Sequence, residues 1–264
     1  MKSPILKNTA KNENNFALNS PSIQSMTSII VPAYDEEEVI ADFIHDLEKK
    51  VHLRPVWELV IVNDGSKDRT AEIITRLAKK YQNIRLVNHD VNKGLGAAIA
   101  TGISSAHGEI IVEMDADMTH PPELIPKLVK AVQGGADAAF ASRYVPGGGM
   151  QNVPDWRVAL SVAANKSFAL FLGLPVKDTT AGFRAYRASL VKQFRVERPG
   201  FAVQLELTTK LAKHRAKIVE IPYMLVNRKQ GSSKFRFFKM VPKYFVNLLG
   251  LFWYRWMGKS QAIR

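Results

Sequence analysis

Glu109-Ile110-Ile111-Val112-Glu113-Met114-Asp115-Ala116-Asp117 runs from an apolar, β-branched stretch into a pair of carboxylates, with Pro121-Pro122 close behind. Such a run reads as a buried strand over 109–114 that delivers the carboxylates at its exit. Proline is tolerated only in the first turn of a helix, so the next helix is expected over 121–134. If the strand's alternation continues, Asp115 and Asp117 share a face. Two hard oxygen ligands at an open sheet edge suit Mg²⁺ or Mn²⁺ shared with a diphosphate. Paired aspartates also cap helices and line solvated loops, so the Asp-x-Asp takes its meaning from its neighbours.

Upstream, strand and helix patterns alternate. Strands are expected over 28–32, 57–63 and 84–88, and helices over 36–50, 68–81 and 94–107. A fifth strand follows over 136–141. This βαβα rhythm predicts an α/β domain with a mostly parallel central sheet and helices on both faces. Ligands then bind beyond the carboxyl ends of the strands. From Pro146 the rhythm changes to a glycine loop, a long helix over 156–172 and a strand over 217–227. With no internal repeat, one domain over 26–234 is expected, between an N-terminal arm (1–25) and a tail (235–264).

The chain has 264 residues, 46% hydrophobic and 23% charged, which suits a globular domain with a sizeable core. It contains no cysteine, which excludes disulfides, zinc–thiolate sites and thiol catalysis. Residues 1–25 are rich in Asn, Ser and Lys and carry no apolar run like that of a secretory signal. The net charge is +13. No acid follows Glu220, whereas Arg228, Lys229, Lys234, Arg236, Lys239, Lys243, Arg255, Lys259 and Arg264 do. That asymmetry points to an anionic partner.

Polar motifs fall at every strand exit, and a parallel sheet gathers them at one edge. They are Pro32-Ala33-Tyr34-Asp35-Glu36, Asn63-Asp64-Gly65-Ser66, Asn92-Lys93-Gly94-Leu95-Gly96, the Asp-x-Asp, and Ser142-Arg143-Tyr144. Asp64 is an acceptor suited to a base edge. Pro32 and Tyr34 form a stiff wall for a ring. Lys93 and the glycines after it bring a cation and close N–H groups to a phosphate. The run lacks the lysine and hydroxyl of a Walker loop and the third glycine of a dinucleotide fingerprint. The six histidines lack metal-ligand spacing, and His120 is expected to play a structural part at the helix start.

With Val-Pro-Ala-Tyr-Asp-Glu, Val-Asn-Asp-Gly-Ser, Asn-Lys-Gly-Leu-Gly, Asp-Ala-Asp, Ser-Arg-Tyr and the late Arg228 to Lys234 motif in family order, residues 27–236 resemble the family 2 glycosyltransferases of GT-A fold. They are most similar to the dolichol- or polyprenol-phosphate mannosyltransferases. Asp-Ala-Asp-x-x-His-Pro, Ser-Arg-Tyr and Lys177-Asp178-Thr179-Thr180-Ala181-Gly182-Phe183-Arg184 carry the narrower likeness. The resemblance implies an inverting transfer of a sugar, foremost mannose from GDP-mannose, onto polyprenyl phosphate with Mg²⁺ or Mn²⁺. It implies nucleotide-sugar contacts at Pro32, Tyr34, Glu36, Val62, Asp64 and Lys93. Asp115 and Ala116 lie along ribose and sugar, and Asp117 is the main metal ligand, joined by Asp115. Arg143, Arg157, Arg228 and Lys234 surround the donor diphosphate and acceptor phosphate, and Ser161 helps hold the latter. On this reading Asp115, Asp117, Arg143, Arg157 and Arg228 carry the catalysis.

Three departures stand out. Thr119 occupies the place of a metal-shell glutamine in some relatives, which leaves a third protein ligand open. Asn63 replaces the first acid of the usual Asp-Asp-Gly-Ser, and Ala202 stands where archaeal relatives can carry a lysine. Gln204 and Glu206 lie in a stretch whose counterpart approaches the sugar, though Glu206 reads equally well as a helix-surface or ion-pair residue. A UDP-sugar donor or a saccharide acceptor is the alternative within the family, and a non-catalytic nucleotide-sugar-binding subunit is a more distant one.

In the tail the apolar stretch from Tyr244 to Trp253 is far shorter than the roughly 20 residues that span a bilayer. At helical spacing Phe245, Leu248, Phe252 and Trp256 share a face. Aromatics flanked by Lys and Arg suit an interfacial helix on anionic lipid. The alternatives are packing on the domain or on a membrane-anchored subunit. A peripheral place on the cytoplasmic face of a membrane follows as an expectation. A nucleic-acid partner would explain the basic tail but not the Asp-x-Asp.

Overall fold

The computed structural model describes residues 26–53, 57–200, 202–226 and 237–257, with side chains from 247 onward in the last stretch. Arg228, Lys234 and the arm over 1–25 lie outside the described residues. Three βα units come first: β1 (Thr27–Ala33) with α1 (Ile40–Lys50), β2 (Trp57–Asn63) with α2 (Thr70–Lys80), and β3 (Ile84–Asn88) with α3 (Leu95–Ser105). β4 (Ile110–Glu113) leads through a 3₁₀ turn (Pro122–Leu124) into α4 (Ile125–Gln133) and β5 (Ala138–Ser142). Then follow β6 (Gly149–Gln151), α5 (Asp155–Leu172), β7 (Arg184–Arg187) and α6 (Ala188–Val191). The remaining elements are α7 (Ala202–Lys213), β8 (Ile218–Pro222), β9 (Met224–Val226) and α8 (Phe237–Trp256).

The main sheet has the order β3-β2-β1-β4-β7-β5-β8. β1, β2, β3 and β4 are parallel, β7 runs antiparallel between β4 and β5, and β8 is parallel to β5. All seven residues of β2 are buried, as expected for a strand of a parallel sheet covered on both faces. Glu58 is tolerated there because Ser28 Oγ, the His107 N–H and Arg85 Nη2 all donate to it. Burial pushes its carboxyl up, but these donors outweigh burial and hold it below the usual carboxylate range.

Each face of the sheet carries its own core. On one, Ile29, Val31, Leu59 and Ile61 meet Phe43, Ile44 and Leu47 of α1, Ile74 of α2 and Leu128 of α4. On the other, Ile30, Val60, Ile111 and Phe140 meet Ile99 and Ile103 of α3, Val203 and Leu207 of α7, and Leu251 of α8. Each fully buried Leu or Ile contributes about 1.5–3 kcal/mol.

Several expectations change. The helix expected from Glu36 starts at Ile40, because Glu36 and Glu37 give their N–H groups to Thr70 and Asp68 of the neighbouring exit. Pro121 precedes a 3₁₀ turn rather than opening an α-helix. The strand expected over 217–227 is two, since Tyr223 interrupts it: β8 joins the main sheet and β9 pairs with β6. The expected Asp-x-Asp strand stops at Glu113, so strand alternation does not govern the two carboxylates. The described part of the tail is the helix α8, which partly packs on the domain. Leu251 is buried, and the Phe252 ring lies 4.5 Å from that of Phe171.

Candidate active site

The strand order reverses at β1, with β2 and β3 on one side and β4 on the other, so the crevice of a doubly wound sheet opens beyond the carboxyl ends of β1 and β4. The exits of β1 and β2 are laced together there. The Asp35 N–H donates to Ser66 Oγ at 3.1 Å, and the Lys67 N–H donates back to Asp35 Oδ1 at 2.8 Å. Pro32, Tyr34 and Glu36 are half-buried along this rim, while Val62 is buried within β2. The Asp35 charge is the main influence raising the Tyr34 phenol above its ordinary range.

Asp64 is only 3% exposed. Its carboxylate accepts the N–H groups of Lys93 at 2.9 Å and Gly94 at 2.8 Å, and lies 2.6 Å from His89 Nδ1. His89 Nε2 in turn meets Thr101 Oγ1 at 2.9 Å. The acid expected at a base edge also anchors the Lys93–Gly94 turn at the start of α3. The Lys93 side chain stands exposed beside it.

Asp115 and Asp117 lie in the bend beyond β4, where Met118 turns the chain with φ 62°. Thr119 gives both its N–H and its hydroxyl to Asp117 Oδ1, so in this structure Thr119 orients the aspartate. The Asp115 N–H donates to His120 Nδ1 at 3.1 Å, and Nε2 lies 3.9 Å from Asp115 Oδ2. His120 stacks on Phe183 at 4.9 Å. Burial, followed by the charge of Arg143, pushes its pKa down to about 3, so it is neutral and structural. Ala116 is buried, and a Cβ on Gly182 would stand 3.3 Å from Asp115 Oδ2. Among the described residues no group of three His, Cys, Asp or Glu could hold a metal. Two carboxylates completed by substrate phosphates and water nevertheless fit Mg²⁺ or Mn²⁺.

Arg143, at the exit of β5, is held by Asp178 in a bidentate pair, Nε to Oδ2 at 2.8 Å and Nη2 to Oδ1 at 2.7 Å. Burial disfavours the cation, but the bonds to Asp178 and its charge prevail and raise the guanidinium pKa. Asp178 is fixed by Glu220, which accepts its N–H at 2.9 Å. On α5, Arg157, Ser161 and Asn165 follow at i, i+4 and i+8, along one face. Ser161 Oγ lies 2.6 Å from Tyr144 Oη, and Asn165 Oδ1 accepts the Thr179 N–H at 2.9 Å. Arg157 is exposed, with its guanidinium 5.2 Å from the Trp156 ring.

Sequence reasoning singled out the 177–184 stretch but gave no part to Asp178, Asn165 or Glu220, and it missed a buried cluster beneath the Asp-x-Asp. There Tyr186 Oη donates to Glu113 Oε2 at 2.9 Å, Gln204 Nε2 donates to Oε1, and Arg184 donates from Nη1 to the Gln204 carbonyl at 3.0 Å. Burial pushes the Glu113 carboxyl up, against the Arg184 charge. Glu206 is not on the helix surface: it is buried and pairs with Lys210 Nζ at 2.7 Å.

Residues 28–195 match the family model described as glycosyl transferase family 2. The chain belongs to that family. It is 34% identical over 238 residues to the dolichol-phosphate mannosyltransferase of Pyrococcus furiosus, a match that covers 89% of this chain and 66% of that protein. It is 36% identical over 218 residues to the polyprenol monophosphomannose synthase of Mycolicibacterium smegmatis, covering 79% of this chain and 80% of the other. Among solved structures, the glucosyl-3-phosphoglycerate synthase of Mycobacterium tuberculosis with Mn²⁺, UDP-glucose and phosphoglyceric acid superposes with a TM-score of 0.67. That match, at 20% identity, covers 86% of this chain and 80% of that one. The fold is GT-A.

Proposed function

We propose that this family 2 enzyme transfers mannose from GDP-mannose to a polyprenyl phosphate with inversion and releases GDP. One observation carries the reading: Asp64 with the Lys93–Gly94 turn that it anchors, the Asp115–Asp117 bend and Arg143 follow the carboxyl ends of β2, β3, β4 and β5 at one edge of the sheet, and Ser161 of α5 bonds Tyr144 next to Arg143. The names of the two curated relatives support the choice of sugar and acceptor. An acceptor phosphate oxygen bonds to the anomeric carbon as the bond from that carbon to the β-phosphate oxygen breaks, and the diphosphate leaves with the electron pair. A phosphate monoester is already ionised at neutral pH, so it needs no general base. It needs position and charge screening, which arginines and hydroxyls supply.

Pro32, Tyr34, Glu36, Val62 and Asp64 form the nucleotide side, and Lys93 serves the phosphates. Asp117 and Asp115 would hold Mg²⁺ or Mn²⁺, which when bound would supply Lewis-acid stabilisation of the departing diphosphate. Arg143 meets the diphosphate, while Arg157, Ser161, Arg228 and Lys234 meet the acceptor phosphate. No helix among the described residues is long and apolar enough to cross a membrane. The exposed apolar side chains of α5 and α8 support docking on a membrane surface, where a polyprenyl chain resides.

The deciding experiment offers labelled GDP-mannose, UDP-glucose and UDP-N-acetylglucosamine separately, with polyprenyl phosphate and Mg²⁺ or Mn²⁺. Butanol-extractable label from GDP-mannose alone is the expected result. Label from a UDP-sugar instead refutes the donor assignment, and no label from any donor refutes the transferase reading.

A further inference from the structure

Arg198 touches both ends of a path from α8 to the Lys93–Gly94 turn. Its carbonyl oxygen presses on α3, where a Cβ built on Gly96 would stand 2.1 Å away. Gly96 is two residues past Gly94, whose N–H Asp64 holds. At the other end the Arg198 guanidinium reaches α8. Nη1 donates to Asn247 Oδ1 at 3.2 Å, and a Cβ on Gly250 would stand 2.7 Å from Nη2.

The backbone between these contacts is pinned. The Glu206 carboxylate, 1% exposed, accepts the Arg198 N–H at 2.7 Å and the Glu197 N–H at 3.1 Å. Lys210 Nζ lies 2.7 Å from Glu206 and also donates to the Arg195 carbonyl. The 195–198 segment is thus a stiff strut on α7. Buried charge with this many partners has few alternative arrangements, so a shift of α8 is passed on rather than absorbed.

We propose that Arg198 is a positioning residue that couples the seating of α8 to the geometry of the Lys93–Gly94 turn. Nucleotide bound at the turn and α8 docked on the domain then favour each other, because a coupling between two sites is reciprocal. The proposal rests on the reading of this turn as the phosphate side of the nucleotide site.

Hydrogen exchange on the full chain, with and without GDP or UDP plus Mn²⁺, tests it alongside calorimetric titration. In the wild type, nucleotide should slow exchange both at the turn and along 247–256 of α8. In Arg198→Ala the protection at the turn should persist, the protection of α8 should vanish, and nucleotide affinity should fall about 5-fold or more, in the usual range of such couplings. Gly250→Ala guards against a mere folding defect. Alanine favours a helix over glycine, so α8 is strengthened, while the new methyl pushes the guanidinium aside. It should hold or raise the melting temperature yet lose the nucleotide-dependent protection of α8. Equal α8 protection in the wild type and both variants, or a lowered melting temperature with unchanged nucleotide affinity, overturns the coupling. Failure of the wild type to bind either nucleotide overturns the reading of the site, and the coupling with it.

Discussion

On one face of the sheet α1, α2 and α4 each bury a single apolar stripe, such as Phe43, Ile44 and Leu47 on α1, and leave their other sides to water. The opposite face breaks that pattern in both directions. α7 buries Gln204, Glu206, Thr208, Thr209 and Lys210, whereas α5 exposes Leu170 at 86% and Trp156 at 64%. A buried polar helix is tolerable only if its groups are satisfied from within. Glu206 answers Lys210 and two backbone N–H groups, and Thr208 and Thr209 donate to carbonyls one turn back. An exposed apolar helix has no comparable internal remedy. Trp253 of α8 adds to the exposed apolar surface at 63%. The first face follows the common amphipathic pattern, and the second departs from it in both directions.

The largest effect belongs to the crevice that both faces share. Asp117→Ala should lower transfer by about 100-fold or more, since the group stabilising the leaving diphosphate is lost, while circular dichroism stays native. Activity above about a tenth of wild type, still dependent on metal, would contradict the ligand assignment. Next comes α7: Glu206→Ala leaves Lys210 buried without its partner and should cost about 3–5 kcal/mol in denaturant unfolding. Leu47→Ala on the first face should cost about 2–5 kcal/mol by cavity formation. If the Glu206 variant loses under 1 kcal/mol, polar burial on α7 is not what stabilises that face.

A double change on α5, Trp156→Ser with Leu170→Ser, should shift stability by only about 0.5 kcal/mol either way, as surface substitutions do, yet reduce flotation with anionic liposomes. Unchanged flotation would remove the membrane role of this helix. The smallest effect is that of Arg195→Ala. It removes the exposed pair with Glu197 at 3.2 Å and should change stability by less than about 0.5 kcal/mol, against the large cost at the buried Glu206–Lys210 pair nearby.

The first face was legible because its helices and strands carry periodic signals of their own. The expected limits of the second and third strands coincide with those observed for β2 and β3. β7 escaped because Arg184-Ala185-Tyr186-Arg187 has a charge at each end, and only pairing with β4 and β5 makes it a strand. α7 escaped because nearly every position is buried whatever its polarity, so no stripe exists to read. In the site, Asp64, Lys93, Asp115, Asp117 and Arg143 could be found from their strand exits. Asp178 could not, since it reaches Arg143 across 35 residues of chain and no local pattern announces such a pair. Asp115 and Asp117 were singled out on strand alternation, but β4 ends at Glu113 and both lie in the bend beyond it.

The place of β7 also imposes an order of assembly. β3, β2, β1 and β4 can pair as soon as residue 113 is made, but the position beside β4 belongs to residues 184–187. Tyr186 reaches Glu113 across 73 residues of chain, a closure that costs entropy before any contact repays it. Until it happens, Ile110, Ile111 and Val112 present an unpaired β-branched edge, the kind that recruits the wrong strand. A nascent chain of this protein is therefore exposed to aggregation from the completion of β4 until β7 slots in, and slower synthesis through α5 lengthens that interval.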